Sequence, residues 1–223
     1  MPVPSTSQVV PFNTDALIVK SKWAEGPGMV TSALGGAFYI QAAASDALAS
    51  STAETTILKP ASAVSGVILP SGGQVGYSFN GLVMPANFLN VGSILRGRLV
   101  GLIGDTATPN ITIRVTLTDS AGNVTALATT GATAMSTITG SMEFEYTFDA
   151  VVRSVGSSGS IISRCGLVYQ TATPSAPIKI TGVPAAATVD TTESFTIDVK
   201  ATWSASSASN TITTQFAYIE LTF

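Results

Sequence analysis

Asn110-Ile-Thr-Ile-Arg-Val-Thr-Leu-Thr118 is the stretch that decides the fold. Ile111, Ile113, Val115 and Leu117 alternate with Thr112, Arg114, Thr116 and Thr118. Successive side chains of a strand point to opposite faces, so this period of two marks a β-strand with one face buried. A helix would space its apolar residues three and four apart instead. Asp119-Ser-Ala-Gly-Asn123 follows as a turn, and Val124 to Thr129 returns as the second half of a hairpin.

The same signature recurs on both sides. Upstream, Ala53 to Leu58 and Gln74 to Met84 are short candidate strands, and Pro85-Ala-Asn87 turns the chain into Ser93 to Ile103. In that run Ile94, Arg96, Arg98 and Val100 share one face. Leu95, Gly97, Leu99 and Gly101 share the other, which is apolar with room for close backbone approach. Downstream, Met142, Phe144, Tyr146, Phe148, Ala150 and Val152 line one face of a strand against Glu143, Glu145, Thr147 and Asp149. Gly156-Ser-Ser-Gly159 then turns it into Ser160 to Gln170, giving a long hairpin. Thr173-Pro-Ser-Ala-Pro177 and Pro184-Ala-Ala-Ala187 read as loops. Glu193 to Trp203 resumes the alternation. Thr211 to Phe223 is apolar on both faces, as suits a central strand or one covered by a partner. No segment keeps helical periodicity over three turns. The expected fold class is all-β, an antiparallel two-sheet sandwich.

Residues 1–50 differ from the rest. Pro2, Pro4, Pro11, Pro27 and Gly35-Gly36 break up short apolar clusters, too apolar for a solvated tail and too interrupted for a separate core. They are expected to form an extended N-terminal arm or anchor lying on neighbouring subunits, with residues 51–223 as the sandwich. The alternative is edge strands packed on the parent domain.

Composition narrows the function. Charged residues make up 10% of the 223, against roughly 25% in an ordinary domain, and Ser, Thr, Ala and Gly fill the difference. Such a surface suits contact with other protein. The mean hydropathy of +0.42 comes from short alternating runs. A membrane-spanning helix needs about 20 consecutive apolar residues, which the chain lacks. Net charge is −3, so neither nucleic acid nor an anionic membrane is expected as a partner. Met1-Pro-Val-Pro-Ser5 lacks a charged, then apolar leader, so export by the ordinary secretory route is not expected.

Chemistry is scarce. With no histidine, histidine-based triads and His-ligated metals are excluded, and the single Cys165 cannot build a thiolate zinc site. Cys165 lies in a strand pattern, where a buried thiol acts as a small hydrophobe. Gly101-Leu-Ile-Gly104 and Gly156-Ser-Ser-Gly159 precede no helix and are turn glycines, not nucleotide loops. Glu143 and Glu145 share a strand face about 7 Å apart, a spacing that could serve glycoside hydrolysis or simply solvate a sheet face. The solvating role is favoured. Asp105 and Asp190 lie in loops without the spaced acidic neighbours of a calcium loop. Trp203 ends an inward series and belongs to the core, whereas Trp23 in the arm suits an anchor in a neighbour's pocket. No catalytic, cofactor-binding or metal-binding residue is expected, and no enzyme activity.

Four segments together carry a likeness: Ala53-Glu-Thr-Thr-Ile-Leu58, Gly92-Ser-Ile-Leu-Arg-Gly-Arg-Leu-Val-Gly101, Ala128-Thr-Thr-Gly-Ala132 and Asp190-Thr-Thr-Glu-Ser-Phe-Thr-Ile-Asp-Val-Lys-Ala-Thr-Trp203. With Ser207-Ala-Ser-Asn-Thr-Ile212 before the last strand, residues 53–223 resemble the jelly-roll structural proteins found among the virion genes of tailed bacteriophages. That resemblance implies a jelly roll and a virion surface protein, a head decoration (cement) protein or a fibre, commonly trimeric. The leading expectation is a capsid decoration protein made in the host cytoplasm. Its expected partners are the major capsid protein and its own copies. The alternative is a tail, baseplate or head-fibre protein that binds a host-surface glycan.

Overall fold

The structure is a computed structural model and describes residues 36–41, 44–58, 77–78, 81–106, 108–173 and 175–222. All regular structure in these residues is β. The strands in chain order are β1 (Gly36–Gln41), β2 (Leu48–Ala49), β3 (Thr55–Thr56), β4 (Tyr77–Ser78) and β5 (Gly81–Met84). Then come β6 (Ile94–Gly104), β7 (Asn110–Asp119), β8 (Val124–Thr129), β9 (Thr133–Ala134) and β10 (Met142–Ser154). The chain ends with β11 (Gly159–Tyr169), β12 (Ile178–Thr181), β13 (Ala185–Val189), β14 (Phe195–Trp203) and β15 (Thr211–Thr222).

Two antiparallel sheets pack face to face. The eight-stranded sheet has the order β1-β15-β6-β10-β11-β12, with β13 also on β11 and β2 on β15. The seven-stranded sheet runs β4-β5-β14-β7-β8, with β3 on β14 and β9 on β7. Along the chain β1, β5, β6, β7, β8, β10, β14 and β15 form two interlocked Greek keys, switching sheets at each step except within the β7–β8 hairpin. That is the jelly-roll order, β1-β15-β6-β10 against β5-β14-β7-β8. The insertion β11–β13 widens the first sheet. The hairpins β7–β8 and β10–β11 pair as the alternation requires.

Local chemistry sets the turns and register. The Asp119 carboxylate accepts the backbone N–H groups of Ala121 and Asn123, and Gly122 supplies a φ of 87° between them. On β6 the two glycines of the inward face sit opposite aromatic residues of β10: Gly97 faces Phe148 and Gly101 faces Phe144. A Cβ at Gly97 would lie 2.1 Å from the Phe148 ring, and one at Gly101 would lie 2.0 Å from the Thr213 carbonyl oxygen. The Phe148 and Phe144 rings therefore occupy the space that side chains at Gly97 and Gly101 would need. Leu99, Tyr146 and the fully buried Trp203 join them in one core.

β15 is central, held between β1 and β6, which accounts for its two apolar faces. A bulge between Thr214 and Phe216 interrupts its ladder. Residues from the start of the domain satisfy the freed groups there. The Thr214 carbonyl accepts the Gln41 side-chain amide at 2.9 Å and the Ser45 backbone N–H at 2.8 Å, while Ser45 Oγ accepts the Thr214 N–H. Gln41 is 1% exposed, so these bonds are made out of water.

Within the stretch expected to form the arm, Gly36–Gln41 and Leu48–Ala49 are strands paired to β15, as in the edge-strand alternative. Residues 1–35, Trp23 among them, lie outside the described residues. β13 departs from expectation, since Ala185–Val189 pairs with β11 where a Pro184–Ala187 loop was expected, and β12 (Ile178–Thr181), a stretch given no element from sequence, pairs with β11 as well. Both pair only with β11, and Ala185-Ala-Ala187 has too little side-chain contrast to show alternation.

Gly97→Ala is expected to destabilise the domain by about 2 kcal/mol, because the Phe148 ring must leave its place to admit a methyl group. Urea unfolding followed by tryptophan fluorescence measures this, and an unchanged midpoint would refute the interlock.

Candidate functional site

The polar side chains of the eight-stranded sheet project from its outer face in rows set by register. β6 places Arg96 and Arg98 outward, β10 Glu143, Glu145, Thr147 and Asp149, and β11 Arg164 and Gly166. β12 adds Lys179 and Thr181, and β15 adds Tyr218 and Glu220. In a chain with only 10 basic and 13 acidic residues, a large share of the charge stands on this one face. The acids Glu143, Glu145, Asp149 and Glu220 balance the bases Arg96, Arg98, Arg164 and Lys179.

Asp149 stands opposite Arg96 on one side and Arg164 on the other. It bridges both: Arg96 Nε lies 3.3 Å from Oδ1 and Arg164 Nη2 lies 3.1 Å from Oδ2. Arg98 Nη2 donates to Glu145 Oε2 at 2.7 Å. Each of these side chains is more than a third exposed, so the pairs order the face more than they stabilise it.

The face is not flat. Gly166 faces Thr147 across β10 and Thr181 across β12. Its missing side chain opens a hollow of about 140 Å³ floored by strand backbone, with Asp149, Arg164 and Lys179 among its walls. None of these residues stands out in the sequence. The available signal was a glycine at an outward position within an otherwise alternating strand.

The residues singled out from sequence are dispersed. Glu143 and Glu145 share the outer face as expected, but Arg98 holds one oxygen of Glu145, so they are not two equivalent free carboxyls. Asp190 caps its own turn, accepting from the Thr192 N–H and hydroxyl. Asp105 lies in the loop just after β6, as expected, but is buried there, 1% exposed. Its Oδ1 accepts the Ile138 N–H, and desolvation raises its pKa. Trp203 is core, as its phase requires. Cys165 is buried and unpaired, and burial raises its thiol pKa. Among the described residues no three acidic or cysteine side chains gather as metal ligands.

No protein-family model matches the chain, and no curated protein matches it. Among solved structures it is similar to the CBM2 module of the evolved Dit of Lactobacillus casei BL23 phage J-1. Identity there is 13% and the TM-score 0.32, over 83% of this chain and 95% of that one. It is also similar to arcelin-5, a lectin-like defence protein from Phaseolus vulgaris, at 9% identity and a TM-score of 0.30, over 88% and 96% of the two chains.

The other sheet holds one buried acid on its outer side. Asp198 of β14 is 2% exposed and accepts the Thr56 hydroxyl at 2.7 Å. Desolvation pushes its pKa up to about 6; the Thr56 bond and Lys200 oppose the shift, and Glu54 adds to it. Glu54 is itself ion-paired with Arg114 of β7. A carboxyl whose pKa is higher folded than unfolded binds protons more tightly in the native state. Stability from this group is therefore complete below about pH 4 and falls as pH rises through 6. The loss is on the order of 2–3 kcal/mol. Asp198→Asn keeps an acceptor for Thr56 and should remove this dependence, making the protein more stable at pH 7.5 but not at pH 4. Urea titrations at the two pH values would show it, and an unaltered pH profile would rule Asp198 out as the source.

Proposed function

We propose that the chain is a non-enzymatic structural protein of a tailed-bacteriophage virion, a decoration protein that binds and stabilises the capsid shell. The observation that carries this reading is the jelly-roll strand order, the architecture that the resemblance of residues 53–223 implies. Two features support it. The charge-poor composition suits a surface covered by other protein. Among the described residues β1 is an edge strand, a place in the sheet that suits a preceding segment that grips a neighbour. The proposed partners are the major capsid protein and copies of the chain itself in a trimer, at the capsid surface, with no cofactor, nucleic acid or membrane involved.

The hollow over Gly166 favours a second reading. A tail, baseplate or head-fibre protein binding a host-surface glycan would use such a polar recess on a rigid sheet.

A chain beginning at Gly36 keeps every described strand. It is expected to unfold within a few degrees of the full chain while losing at least about tenfold in capsid affinity, because the anchoring contacts are gone. Co-sedimentation with undecorated capsids measures this, and undiminished binding would refute the anchoring role. Light scattering should give three times the 22.7 kDa chain mass; a monomer would contradict the trimer.

A further inference from the structure

The glycines of β6 and β11 serve different ends. Gly97, Gly101, Gly104 and Gly159 are packing glycines, since a Cβ at each would meet another atom at 2.9 Å or less. Gly166 is not. A Cβ there would meet nothing closer than the Ile180 carbonyl oxygen at 3.6 Å, and its backbone is not in the left-handed region. Neither packing nor conformation demands a glycine at this position, yet a glycine stands there and leaves the floor of the hollow bare. Glycine within a strand, when the fold does not require it, suits a place where another molecule comes close to the backbone.

The surroundings define what would fit. Thr147 and Thr181 flank Gly166 on the neighbouring strands, each about 4.8 Å away across the sheet. Their hydroxyls can both donate and accept, as the hydroxyls of a sugar ring require. One outward position from Gly166 in each direction along β11 stands a cation: Arg164 on β11 itself, and Lys179 on β12 opposite Val168. Asp149 is shared between Arg96 and Arg164, so these two guanidinium groups face a single carboxylate. Lys179 makes no ion pair among the described residues. The rim of the hollow thus carries cationic charge that its own acid does not cancel.

We propose that the hollow over Gly166 is a binding site for an acidic carbohydrate. In it a sugar ring lies on the Gly166 backbone between Thr147 and Thr181, and Lys179 at one end of the hollow and Arg164 at the other take anionic groups of that ring or of the next. The site rests on the second reading's premise of contact with carbohydrate, and not on where in the particle the chain sits. The anion can be a carboxylate or a phosphate, since both suit a lysine and a guanidinium.

The test uses the full chain, isotope-labelled, titrated in an NMR experiment with a tetragalacturonate, a glycerol-phosphate oligomer and neutral maltotetraose. The acidic oligomers should shift the amide signals of Thr147, Gly166 and Thr181, and at least one should bind about tenfold or more tightly than the neutral sugar. Which of the two acidic probes binds identifies carboxylate or phosphate as the source of the charge. Gly166→Val fills the hollow and should abolish the shifts with thermal stability kept. Lys179→Glu, on an exposed side chain, should weaken binding about tenfold or more and serves if the valine variant fails to fold. Glycan binding that survives both variants would overturn this site but leave the carbohydrate reading standing. Equal binding of the neutral sugar would overturn the acidic class, and no binding by any probe would overturn both the site and that reading.

Discussion

The interlock of glycine and aromatic ring between β6 and β10 is the contact on which the rest of the sandwich depends. Gly97 and Gly101 let Phe148 and Phe144 settle against bare backbone, and Leu99 faces Tyr146 between them. Large rings on one strand would otherwise push its neighbour's side chains aside and open the sheet. Here the neighbouring strand gives up its side chains at the two places where the rings fall. Gly101 does a second service, because the Thr213 carbonyl also approaches it from β15. One strand is thereby fitted closely to both neighbours, and the inner face of the sheet is level enough to receive Trp203 and Val199 from the opposite layer.

What was legible in the sequence follows from how each strand is buried. β7 and β10 have one face in the core and one in solvent, so alternation exposes them at once. The inward glycines of β6 were visible for the same reason, and the central place of β15 showed in its two apolar faces. β1 was only an alternative reading because its partner β15 lies almost the whole chain away, whereas β12 and β13 are short strands set among prolines beside their partner β11. Gln41 reads as a surface residue until the β15 bulge supplies a carbonyl for it. Ala185-Ala-Ala187 carries no contrast between faces at all. The candidate site was still less legible. Thr147, Gly166 and Thr181 become neighbours only through two registers, β10 with β11 and β11 with β12, and register is not written in any one segment.

The two outer faces of the sandwich handle their few charges differently. On the wide sheet the ions stand in exposed cross-strand rows, where water screens them and pairing chiefly fixes geometry. On the narrower sheet Asp198 is withdrawn from solvent and held by a hydroxyl. A carboxylate so placed costs stability at neutral pH, and the fold carries that cost against a large apolar core.

The position of β15 has a consequence for how the molecule forms. It is the last described strand along the chain and yet the second in its sheet, the partner of both β1 and β6. Those two are made early and have no direct ladder with each other. Until β15 arrives, β6 offers an unpaired edge and β1 has nowhere to dock. Closure therefore joins segments almost the whole chain apart, a high-contact-order step whose loop entropy precedes its reward. Such a chain has to wait, with apolar strands exposed, for its final segment before the wide sheet can exist.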